Sequence, residues 1–114
     1  MPRTPKAHAL LSDAAARSLQ ELGGRLQRAR LLRNWTQAET ARKAGLSISS
    51  IKKVESGSAH ITVAAYVALL DVFGVPTALD RVLAPGDDTL GDALAERGRR
   101  QRARAPGAAD DWEL

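Results

Sequence analysis

"TQAETARKAGLSISSIKKVESG", Thr36 to Gly57, is the stretch on which the reading of this chain turns. Thr36 with Glu39 three residues on makes a capping box. The hydroxyl accepts from an early backbone N–H and the carboxylate reaches back to the Thr36 N–H. The helix opened there ends at Gly45, a residue suited to the left-handed turn that stops a helix. Ser47 caps a second helix, Ile48 to Glu55, whose end is marked by Ser56-Gly57-Ser58. Two short helices joined by a glycine-containing turn form a helix-turn-helix arrangement. Ala41 is small where the helices approach, and Leu46, Ile51 and Val54 point inward. Ile48, Ser49, Ser50, Lys52 and Lys53 are left on the outward face.

Working outward, Ser12 caps a helix that runs as far as Arg33, with a weak point at Gly23-Gly24. Leu19, Leu22, Leu26 and Ala29 or Arg30 share one stripe, while Arg25, Arg28 and Arg33 face out. Asn34 suits the left-handed end of that helix. Downstream, Thr62 caps a fourth helix with Val63, Tyr66, Val67, Leu69, Leu70 and Phe73 apolar, closed by Gly74. Pro76 and Thr77 open a fifth, with Leu79, Val82 and Leu83 apolar, closed by Pro85-Gly86. Leu90 and Leu94 suggest a sixth. Alternating strand patterns are missing, and Ala, Leu and Arg abound, so the fold class is all-α. The expected organisation is a flexible N-terminal arm over 1–11, a helix-turn-helix domain over 12–84, and an extension over 85–114 that is partly helical and partly disordered.

Composition narrows the function. The 114 residues hold no cysteine and two histidines, so disulfides, zinc ribbons and thiol nucleophiles are excluded, and no metal or other cofactor is expected. A nucleophile–base constellation and a phosphate-cradling glycine loop are both missing, and the expectation is that the protein is not an enzyme. With no apolar run of roughly 20 residues and no signal-peptide pattern, a soluble cytoplasmic, nucleoid-associated protein with no membrane partner is expected. Charge is uneven: residues 1–60 hold eleven Lys/Arg against four Asp/Glu, residues 61–96 one against six, and residues 97–114 five against three. A polyanion such as DNA and a solvated basic face both account for the basic first half.

Arg30, Thr36-Gln37, Ala44-Gly45, Ser47, Ser50-Ile51, Glu55, Gly57 and Phe73-Gly74 together resemble the motif pattern of the lambda-repressor/Cro-like (Xre-type) DNA-binding family, from about Leu22 to Leu83. The resemblance implies a five-helix lambda-repressor-like domain that binds double-stranded DNA at a palindromic operator as a homodimer. It implies that Gln37 bonds a phosphate at a helix N-terminus. It places Ile48 and Ser49 at base edges, Lys53 at bases or phosphate, and Ser47 and Ser50 at phosphates, with Lys52 and Arg42-Lys43 as further backbone contacts or a solvated face. Arg30 and Glu55 are implied to form a largely buried structural ion pair. Thr40 departs from the family, which usually has Leu there; its hydroxyl is expected to bond back to the helix. Trp35 is read as packing rather than as a stacking platform for DNA. Leu79, Val82 and Leu83 are the dimer-interface candidates.

The segment "DDTLGDALAERGRRQRAR" extends the resemblance to HipB-like regulators. It implies a repressor of its own operon that also serves as antitoxin to a HipA-like serine/threonine kinase toxin. Two alternatives stand beside it: a plain Xre-type regulator without a toxin partner, and an adaptor in which the helix-turn-helix is only scaffold. Residues 61–96 either dock a basic partner, support a dimer or are simply solvated. The arginines of 97–104 follow phosphates, bind the kinase or stay solvated. Trp112, alone among acidic residues, is read as a partner-docking anchor, with a passive tail as the alternative.

Overall fold

Ser12 accepts a hydrogen bond at its Oγ from the Ala15 N–H (3.1 Å) and so opens α1, Asp13–Leu32. The computed structural model describes residues 11–104; residues 1–10 of the N-terminal arm, Trp112 and the rest of 105–114 lie outside them. Beyond α1 come α2 (Gln37–Ala44), α3 (Ile48–Glu55), α4 (Val63–Val72), a 3-10 turn (Ala78–Arg81) and α5 (Thr89–Arg104). All regular structure among the described residues is helical, which makes the fold all-α. The chain divides into two units, one ending at Leu79 and the other starting at Asp80, a few residues before the boundary read from Pro85-Gly86.

In the first unit, α3 packs against α1, α2 and α4, and α2 packs on α4. Leu26, Ala41, Ile51, Val54, Ala65, Tyr66, Leu69 and Phe73 form the core, flanked by the half-buried Leu19, Leu22, Ala29, Trp35, Leu46 and Leu70. Ile51, Val54 and Leu69 are fully buried. Thr40 is fully buried as well, and its hydroxyl donates to the Thr36 carbonyl (2.9 Å), so no polar atom is left unpartnered there. Val63, one of the apolar positions of α4, is exposed, because the buried face of α4 runs through Ala65, Tyr66 and Leu69.

Gly23-Gly24 does not interrupt α1. A Cβ on Gly23 would lie 2.5 Å from the Val54 carbonyl oxygen and 2.6 Å from the Gly57 nitrogen, so glycine is what lets α1 press against the end of α3. The fifth helix read from the sequence shrinks to the 3-10 turn. Leu79, Val82 and Leu83 are 42, 69 and 71 % exposed, and Leu83 takes a left-handed φ of 54°. A short helix without a packed face is not self-sustaining, and among the described residues these three side chains stay exposed.

Two side chains close the core at its edges. Arg33 donates to the Ala29 carbonyl and to the Phe73 carbonyl (both 2.9 Å), so the end of α1 caps the end of α4, and its guanidinium lies 5.0 Å over the Phe73 ring. Trp35 stacks on Phe73 with centroids 5.8 Å apart, in keeping with a packing role. Tyr66 donates its hydroxyl to the Ser58 carbonyl (2.7 Å), and burial pushes its pKa above the ordinary 10.0. The unfolded chain therefore loses the phenolic proton first. The stabilisation is complete below pH 10 and is lost as pH climbs through the raised native value. As Tyr66 is the single tyrosine, ultraviolet titration reads it directly. The native midpoint is expected above that of the urea-unfolded chain, and coincident midpoints would contradict this.

Candidate nucleic-acid interface

The second helix of the motif is built to be held from one side and offered from the other. Ser47 caps α3 by accepting from the Ser50 N–H (3.0 Å). Ile51 and Val54, three residues apart, anchor one face of α3 at zero exposure. At 3.6 residues per turn the opposite face centres on Ser49, with Lys52 and Lys53 one turn further on. All three are exposed, and Ile48 at the helix start is 44 % exposed. A hydrophobic side chain, a small hydroxyl and two ammonium groups thus project from one rigid helix, a set able to touch base edges and phosphates in a major groove.

The hydroxyls of Ser47 and Ser50 are less free than their positions suggest. Ser47 Oγ donates to Ser50 Oγ (3.0 Å), so one of the pair's two hydroxyl protons is already used. Lys43 is also engaged, its ammonium 4.7 Å from the Trp35 ring.

Behind the outward face sits a polar network. Arg30 Nε meets Glu55 Oε2 at 2.6 Å and Arg30 Nη2 meets Glu55 Oε1 at 3.2 Å, with the two side chains 9 and 4 % exposed. Arg30 Nη1 also donates to the Trp35 carbonyl (2.9 Å). One guanidinium therefore ties α1 to the end of α3 and to the turn before α2. Gln37, the first residue of α2, donates through Nε2 to Glu55 Oε1 (3.1 Å). A carboxylate only accepts, so the amide nitrogen must face it, which leaves Gln37 one N–H and its carbonyl for anything outside. Sequence reasoning gave Gln37 to a phosphate and missed this bond, for which no local signal exists. The Arg33 bridge to Phe73 was missed for the same reason, whereas the cost of two glycines inside a helix was a usable sign of close packing at Gly23.

Among the described residues no group of acidic or histidine side chains could hold a metal ion, and no helix is long and apolar enough to cross a membrane. A helix-turn-helix domain family model matches residues 21–83. No curated protein matches the chain. The matched span takes in most of α1, the whole α2–turn–α3 unit and α4, so its geometry and its match agree: the chain belongs to the helix-turn-helix domain family, as an Xre-like DNA-binding regulator.

Proposed function

We propose that the protein is a sequence-specific transcriptional repressor that binds a palindromic operator as a homodimer and represses its own operon. The observation that carries this reading is the outward face of α3, where Ile48, Ser49, Lys52 and Lys53 are exposed on a helix whose other face is locked into the core. One such face spans a half-site, and a second copy one helical turn away, roughly 34 Å, adds its own contacts. The exposed Leu79, Val82 and Leu83 supply apolar area for that pairing. Gln37, Ser47 and Ser50 fix the helix on the backbone, and Lys53 and Ile48 contribute most to base choice. The narrower role, antitoxin to a HipA-like kinase, is supported by the resemblance of residues 87–104.

The double variant Ser49→Glu, Lys53→Glu tests it. Both positions are exposed, so thermal stability is expected to stay within about 0.5 kcal/mol of the parent. Operator affinity, read by fluorescence anisotropy on the palindrome upstream of the gene, is expected to fall about 100-fold or more. Capture of a co-expressed HipA-like kinase is expected to persist, since the exchange leaves residues 87–104 intact. A random duplex that competes as well as the operator rejects specific repression. Unchanged operator binding in the variant leaves α3 as scaffold only.

A further inference from the structure

The second unit contributes one helix, α5, and none of its residues is buried. Packing therefore does not explain its composition. Its charges are sorted, with Asp92 and Glu96 in the first half and Arg97, Arg99, Arg100, Arg102 and Arg104 in the second, without a single lysine. The helix dipole favours that order, but it acts only over the terminal turn and does not distinguish arginine from lysine. Five arginines over two turns exceed what it asks for.

Arg97, Arg100 and Arg104 recur at i, i+3 and i+7 and so share one face, spread over about 10 Å of helix axis. Arg97, Arg100 and Arg104 are all exposed. We infer that this face is a second nucleic-acid contact, which grips the phosphate backbone of duplex DNA without reading sequence while α3 selects the site. Guanidinium suits that task better than ammonium because its planar fork donates to two phosphate oxygens at once and sheds water readily. The competing intramolecular partner is weak. Glu96 accepts from Arg99 and from Arg100 (3.3 Å), but these are ion pairs with arginine side chains 52 and 72 % exposed, which a phosphate displaces at little cost.

The inference rests on the repressor reading, and the tether favours DNA over an acidic protein as occupant. Only residues 82–88 join the 3-10 turn to α5. Because the arginines and α3 belong to one chain, a duplex bound by α3 meets the arginines at an effective concentration set by that tether, of order millimolar, an advantage no separate protein shares.

The test uses the full chain and the triple variant Arg97→Gln, Arg100→Gln, Arg104→Gln, with the matching Arg→Lys triple as the charge-retaining control. Anisotropy titrations on operator and random duplexes run from roughly 50 to 200 mM salt. Loss of three phosphate contacts is expected to flatten the slope of log K against log salt by about 2.7, so that the parent loses roughly 40-fold more affinity over that range than the Gln triple does. Operator and random duplexes are expected to weaken alike, and the Lys triple to keep the parental slope. An unchanged slope in the Gln triple overturns the inference while leaving the repressor reading intact. An unchanged slope with lost capture of a co-expressed kinase overturns it in favour of a protein-binding helix. A parent that binds no duplex at any salt overturns the repressor reading itself.

Discussion

Glu55→Ala is expected to destabilise the helix-turn-helix unit by about 3–5 kcal/mol, a large part of what a domain of this size has to lose. The carboxylate is the hub of the polar network, accepting twice from Arg30 and once from Gln37. Its removal leaves a guanidinium 9 % exposed with one remaining partner, the Trp35 carbonyl, and a charge left unpaired in the interior keeps nearly its full desolvation cost. Urea denaturation followed by circular dichroism measures the loss. The double replacement Arg30→Met, Glu55→Leu removes both charges and fills the space, and it is expected to recover most of the deficit. A Glu55→Ala protein within about 0.5 kcal/mol of the parent would mean that water reaches the pair and screens it.

Gly57→Ala is expected to cost about 3–5 kcal/mol for a different reason. Its φ is 71°, and a Cβ there would collide with the Cα of Gln20 and lie 2.7 Å from both the Gln20 nitrogen and the Leu19 carbonyl oxygen. These are backbone atoms of α1, so relief requires moving the helix off α3. Gly45→Ala is the internal control. Its φ of 69° is nearly the same, but a Cβ there meets nothing within 4 Å, so only the left-handed conformation is penalised, by about 1–2 kcal/mol. The difference between the two variants in denaturant midpoint isolates the helix–helix approach. Equal losses would show that α1 and α3 have slack where they cross.

The residues divide by the range of the forces that place them. Ser12, Thr36 with Glu39, Ser47 and Gly45 announce helix ends because a cap or a left-handed turn is settled within three or four residues, and the structure has each of them in that role. Thr62 sits at the start of α4 but makes no capping bond, so residue type alone overstated it. The apolar segment after Pro76 was overread in the same way. Its pattern fits a helix, but Leu79 and Leu83 stay exposed among the described residues.

By itself, then, the sequence determined the helical class, the two capped helices with their glycine turn, and the face of α3 that stays outward, since each follows from local backbone chemistry and a period of 3.6 residues. The Arg30–Glu55 pair was available only through the family resemblance. Tertiary structure alone decided which backbone atoms Gly23 meets, that Gln37 leans on Glu55, and that Arg33 reaches Phe73 forty positions away. Those facts depend on how helices cross, and crossing is fixed by the summed packing of residues distant in the chain, which no local pattern encodes.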